Sequence, residues 1–186
     1  MSENGERAGA RRDTVRIEDM TMTTATRYTY KLMKSPVGTL RLVASDKGLA
    51  GVWFERTRPG RLQPRGEVED PRHPVLVEAE RQLREYFAGR RQSFELELDL
   101  VGTPFQRSVW RALLTIPFGQ TRSYGDIARQ VGRPSASRAV GAANGQNPVA
   151  IVAPCHRVIG STGALTGFGG GLDVKAQLLR LEGARL

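Results

Sequence analysis

Cysteine occurs once in 186 residues, histidine twice and lysine four times, and no apolar run approaches the length of a membrane span. One cysteine excludes an intrachain disulfide, which suits a reducing compartment. Two histidines and one cysteine are too few for a zinc site of the usual Cys/His type, so no metal and no cofactor is expected. The N-terminus lacks a signal peptide's apolar centre, and with no spanning segment the expectation is a cytoplasmic protein without membrane contact. The chain is long enough for one domain or two small ones around a real apolar core.

Positive charge is plentiful and unevenly spread. The net charge is +9, carried by 24 arginines and the few lysines, and residues 105–186 hold ten basic side chains against three acidic ones. A basic C-terminal part suits a polyanion such as nucleic acid, although a merely soluble basic face reads the same way.

The lone cysteine lies in Asn147-Pro148-Val149-Ala150-Ile151-Val152-Ala153-Pro154-Cys155-His156-Arg157-Val158. The apolar run Val149–Ala153 predicts a short buried strand that Pro154 stops, followed by a turn carrying a thiol beside an imidazole and a guanidinium. Neighbouring positive charge and a base within reach would lower the thiol pKa and make it a nucleophile. The same residues also allow an inert core cysteine, because side chains adjacent in sequence usually diverge.

Residues 1–25 are polar, without apolar period, and are expected to be a disordered tail. Strand patterns follow at 27–32, 39–44 and 49–54, with a turn at Asp46-Lys47-Gly48. Residues 56–73, rich in Arg, Pro and Gly, read as a loop. Leu76, Ala79, Leu83 and Phe87 then recur at helical spacing, and Phe94, Leu96, Leu98 and Leu100 alternate as one half-buried strand. The character changes at Gly102. Thr103-Pro104-Phe105-Gln106 and Ser123-Tyr124-Gly125-Asp126 each place a capping residue three positions before a side chain able to close a capping box. They predict two helices, and after the turn Gly132-Arg133-Pro134 a third over 135–144 made mostly of small residues. Helix, tight turn, helix is a DNA-binding arrangement, and Arg138 is the one long side chain on that third helix. The domain boundaries drawn are 26–101 and 102–186.

Pro154-Cys155-His156-Arg157-Val158, with Ser123-Tyr124-Gly125, Arg138-Ala139-Val140-Gly141, Asn147-Pro148-Val149 and Leu181-Glu182-Gly183, resembles the O6-alkylguanine-DNA alkyltransferases over roughly residues 27–186. The resemblance implies an α+β protein: an N-terminal ribonuclease-H-like domain followed by a helix-turn-helix domain of the winged-helix kind. It implies direct DNA repair, in which an alkyl group moves once and irreversibly from O6 of guanine, and by extension O4 of thymine, to Cys155. By the same resemblance His156 is the base acting through a water, Glu182 orients it, Asn147 shapes the thiol pocket and Tyr124 donates to the departing base. Ser135, Ala136, Arg138, Ala139, Gly141 and Tyr124 would face DNA. Val158, Phe168, Gly169 and Gly170 would line the pocket with Tyr124.

The target nucleotide would be turned out of the duplex through the minor groove, with Arg138 filling the gap. Phe168 stands where the family often has a tyrosine and Gly169 where some members have a serine, so contacts to guanine would pass to Tyr124 and to backbone N–H groups of the glycine loop. The expected partner is double-stranded DNA containing O6-alkylguanine. A monomer is expected in solution, with clustering on DNA left open. A non-catalytic sensor of alkylated DNA, a helix-turn-helix regulator and a turnover cysteine hydrolase are the alternatives.

Overall fold

The computed structural model describes residues 26–55 and 67–184. The expected tail at 1–25 and residues 56–66 of the Arg/Pro/Gly-rich loop lie outside the described residues.

The chain opens with an antiparallel meander: β1 (Thr29–Ser35), β2 (Gly38–Ser45) and β3 (Gly48–Phe54). A two-residue strand, β4 (Val68–Glu69), adds parallel to β1, giving the order β3-β2-β1-β4. Helix α1 (Pro74–Phe87) has Pro74 in its first turn and turns Leu76, Ala79, Leu83 and Tyr86 inward. These pack with Leu40, Leu42 and Val52 of the sheet in one apolar core that continues into the C-terminal part. Gly48 is needed at its turn, because a Cβ there would stand 2.4 Å from the Glu97 carbonyl oxygen.

Two expected strands, one read from alternation over 94–100 and one from the apolar run 149–153, do not form. Residues 94–100 make a single bridge to β3, with Leu49 N–H donating to Glu97 O (2.8 Å) and Asp99 N–H to Leu49 O (2.9 Å). Residues 149–153 make another, with Val52 N–H donating to Pro148 O (2.9 Å) and Ala150 N–H to Val52 O (3.2 Å). The physical reason is shared. The free edge of β3 is divided between two segments, so neither has backbone partners enough to extend. The alternating burial of Phe94, Leu96 and Leu98 persists without the ladder. After its bridge the second segment turns sharply, with Ile151 at φ 72°, a left-handed conformation costly for a β-branched residue.

Both capping boxes predicted in the second half are present. Thr103 starts α2 (Pro104–Leu113) and Ser123 starts α3 (Tyr124–Gln130), each with reciprocal bonds to its third helical residue, Gln106 and Asp126. Helix α4 is Ser137–Gly145, two residues shorter at its start than expected, because Ala136 N–H closes a turn onto Arg133 O (2.9 Å). Between α2 and α3 lies β5 (Arg122–Ser123); it pairs in parallel with β6 (Val158–Ile159), and α5 (Leu172–Leu181) closes the chain. Helices α2, α3 and α4 pack mutually, with Trp110 of α2 donating from Nε1 to Ala143 O of α4 (2.8 Å). No helix among the described residues is long and apolar enough to cross a membrane.

Candidate active site

Pro154 ends the tight turn, and Cys155–Arg157 form one turn of 3₁₀ helix with all three side chains buried. The chain leaves as β6, whose pairing with β5 sets Ser123, the residue before Tyr124, opposite Ile159. The end of α5 supplies Glu182. Three stretches far apart in sequence therefore meet.

Glu182 is the polar centre of this meeting. Its Oε1 lies 2.7 Å from His156 Nε2 and accepts from Tyr86 Oη (2.7 Å) and an Arg157 terminal nitrogen (3.0 Å). Its Oε2 accepts from Arg157 Nε (2.8 Å) and Gly119 N–H (3.2 Å). Burial pushes the carboxyl pKa up, but the bonds from His156, Arg157 and Tyr86 outweigh it and hold it down to about 2. The carboxylate is ionised and accepts only, so the proton it contacts on His156 sits on Nε2. Burial lowers the His156 pKa despite Glu182, so the ring is neutral near pH 7 and Nδ1 carries its lone pair. Nδ1 is buried and bonds no protein group among those described.

Cys155 is 4% exposed. The sequence expectation that its neighbours lower the thiol pKa is corrected: burial pushes it up, and the Arg157 guanidinium has turned to Glu182 and to the Ile116 carbonyl (2.5 Å). Pulling the thiol pKa down are the Asn147 side chain and the ammonium of Lys175. Asn147 also fixes the turn, donating to Ala153 O (2.7 Å) and accepting from Val149 N–H (3.1 Å). Below the cysteine, Asn144 of α4 donates to Cys155 O (3.4 Å). Lys175 is fully buried; its Nζ donates to Val158 O (2.5 Å) and Thr166 O (2.7 Å), and burial pulls its pKa down to about 8.

Tyr124 donates to Thr166 O (3.0 Å). Its ring lies against α4 at Gly141, where a Cβ would stand 3.8 Å away, and its hydroxyl is as close to Gly167. Arg138 lies one helical turn before Gly141, on that side of α4, exposed together with Ala139 and Ser135, while Ala136 is half-buried. Val158 is buried and holds Lys175 through its carbonyl. Phe168 meets Phe54 of β3 edge-on at 5.5 Å and His156 at 6.5 Å. Gly169 is exposed, whereas a Cβ on Gly170 would stand 2.9 Å from the rings of Phe54 and Phe168. Gly170 thus answers to a close approach within the protein.

Cys155, His156, Glu182 and Asn147 are brought together by the fold, and Tyr124 shares the Thr166 carbonyl with Lys175, the cation that acts on Cys155; Arg138, Ser135 and Ala139 are exposed. Sequence reading missed Lys175, Tyr86 and the role of Arg157. A signal existed for the first two. Lys175 sits at a core position among Val174, Leu178 and Leu179, and Tyr86 on the apolar stripe of α1. Neither pattern names the distant partner. Among the described residues no group of three or more His, Cys, Asp or Glu is placed to hold a metal ion.

Comparison with known proteins agrees with this layout. Residues 28–100 match the family model for the 6-O-methylguanine DNA methyltransferase ribonuclease-like domain, and residues 104–184 the DNA binding domain of the same methyltransferase. A methylated-DNA–protein-cysteine methyltransferase of Mycolicibacterium paratuberculosis is 54% identical over 155 residues, covering 82% of this chain and 91% of its own. One of Methanosarcina acetivorans is 49% identical over 155 residues, covering 83% and 98%. The crystal structure of Mycobacterium tuberculosis OGT in complex with DNA superposes with TM-score 0.76 at 49% identity, covering 83% of this chain and 92% of that one.

Proposed function

The chain belongs to the 6-O-methylguanine DNA methyltransferase family, enzymes that act on alkylated DNA through a protein cysteine, and we propose that here Cys155 is the acceptor and DNA containing O6-alkylguanine the substrate. The observation that carries this reading is the polar chain around the lone cysteine: a buried thiol, a neutral His156 with its Nε2 proton on Glu182, and a carboxylate held ionised. Because burial keeps the thiol protonated, attack requires a base. His156 Nδ1 takes the thiol proton by way of a water, Glu182 stabilises the imidazolium that forms, and the sulfur attacks the alkyl carbon. The S–C bond forms as the C–O6 bond breaks. The electron pair passes to O6 and N1 of guanine, which regains a proton, with Tyr124 donating to the departing base. The product is a thioether, which has no leaving group for water to displace. Each molecule therefore reacts once, and every group named comes from one chain.

A guanine in a duplex cannot reach a buried thiol, so the nucleotide is turned out through the minor groove, with Arg138 standing in the stack behind it. The small residues Ser135, Ala136, Ala139 and Gly141 support close approach of α4 to the backbone, and the loop at Phe168, Gly169 and Gly170 closes the pocket with Val158 beneath. An alkyl group on O4 of thymine presents the same electrophile on an exocyclic oxygen and is taken as a second substrate. On this reading residues 102–186 bear the DNA-binding and acceptor chemistry, and residues 26–101 buttress them.

The test is intact-mass measurement after incubation with duplex DNA containing O6-methylguanine. A gain of one methyl group, absent in Cys155→Ala, is expected. Binding without any gain in mass would overturn the reading in favour of a sensor of alkylated DNA.

A further inference from the structure

Besides the packing of Phe54 on Phe168, two contacts from the ribonuclease-like part bear on the polar groups of the acceptor site. One is the bridge from Val52 of β3 to Pro148 and Ala150, which grips the turn holding Asn147. The other is chemical. Tyr86, in the last turn of α1, is fully buried, and its hydroxyl reaches 96 positions along the chain to donate to Glu182 Oε1 at 2.7 Å. That is the oxygen that faces His156 Nε2. The Tyr86 ring is held by Phe87 (5.3 Å), Phe94 (5.6 Å) and Phe118 (6.2 Å), so the hydroxyl has one direction available.

We propose that Tyr86 is a positioning residue for alkyl transfer: through its hydroxyl the N-terminal part fixes the Glu182 carboxylate and sets how strongly it draws on the Nε2 proton of His156. The proposal rests on Cys155, His156 and Glu182 acting as described above. The phenol stays a donor, since burial and the neighbouring Glu182 charge push its pKa well up. Without that neutral donor, Oε1 would be left to His156 and Arg157. More of the carboxylate charge would then fall on the imidazole, favouring its protonated form, and the carboxylate could rotate away from in-line contact. The charged and titratable groups facing His156 are Glu182 and Lys175 from α5 and its end, and Cys155 and Arg157 from its own turn, with Tyr86 arriving from α1. Tyr86 is the one among them supplied by the other domain.

The test is Tyr86→Phe, which removes one oxygen and keeps the ring. Single-turnover alkyl transfer is followed against pH with O6-benzylguanine, a substrate needing no DNA, alongside the wild-type protein. The acid limb of the profile is expected to move up by about half a unit or more. The plateau rate should fall roughly three- to tenfold, the net effect of losing one ordinary hydrogen bond. Affinity for unmodified duplex DNA and the melting temperature serve as controls for folding. In a Glu182→Gln background the same substitution should change the rate no further. A Tyr86→Phe profile that overlays the wild type, or a loss of equal size in the Glu182→Gln background, overturns the role of Tyr86 and leaves the acceptor reading intact. Failure of the wild-type protein to take up the benzyl group would instead remove the acceptor reading.

Discussion

Cys155 sits between two opposing influences, and their balance is a property of single residues. Burial disfavours the thiolate, whereas Asn147 and Lys175 favour it. Lys175 is itself strained by burial, with a pKa near 8, but near pH 7 it still carries most of its charge. Replacing it with methionine keeps the length of the side chain and removes the ammonium. Lys175→Met is therefore expected to raise the thiol pKa further and to slow thiolate reactions near neutrality by on the order of tenfold. Iodoacetamide alkylation of Cys155 followed by mass against pH measures this, and an unmoved profile would exclude a role for the ammonium. The cysteine was legible as a special residue because proline, histidine and arginine surround it. The cation acting on it was not. Arg157, adjacent in sequence, neutralises Glu182 instead, while the effective charge comes from 20 positions away, a pairing only the packing of α5 creates.

At the scale of elements, what is governed locally was legible. Both capping boxes are closed within four residues, so Thr103 and Ser123 mark their helices from sequence alone. The strands expected at 94–100 and 149–153 failed for a non-local reason, the shared edge of β3. Helix α4 was legible by its small residues, and its use follows from exposure. Arg138 projects from it with no hydrogen bond or ion pair to the described residues, on the side where Gly141 meets Tyr124. If it replaces an extruded base, Arg138→Ala should keep its rate with free O6-benzylguanine and lose on the order of tenfold or more in repair of duplex DNA, as expected for losing a side chain that offsets unstacking of a few kcal/mol. Parallel single-turnover assays decide it. Equal losses on both substrates would place Arg138 outside base extrusion.

For the whole molecule, the buried polar centre ties stability to pH. The native pKa values of His156 and Glu182 lie below their ordinary values of 6.5 and 4.5, so each contributes stability that is present above the ordinary value and lost as pH falls. The unfolded chain takes up a proton on histidine below about pH 6.5 that the native protein refuses, which costs about 1.4 kcal/mol per pH unit. The melting temperature should therefore fall between pH 7 and 5 and fall more steeply below 4.5 as the carboxyl joins; calorimetry at fixed ionic strength measures it. A flat response from pH 7 to 5 would mean that His156 is charged in the folded protein. By itself the sequence determined the basic C-terminal half, the capped helices, the meander and the cysteine motif, because charge, capping and alternation act between residues within a few positions of each other. The tertiary structure alone decided which donors reach Glu182, which cation faces Cys155 and how the edge of β3 is shared. Those are contacts between segments up to 98 positions apart, and they exist only once the apolar faces of α1, α5 and the sheet have been buried together.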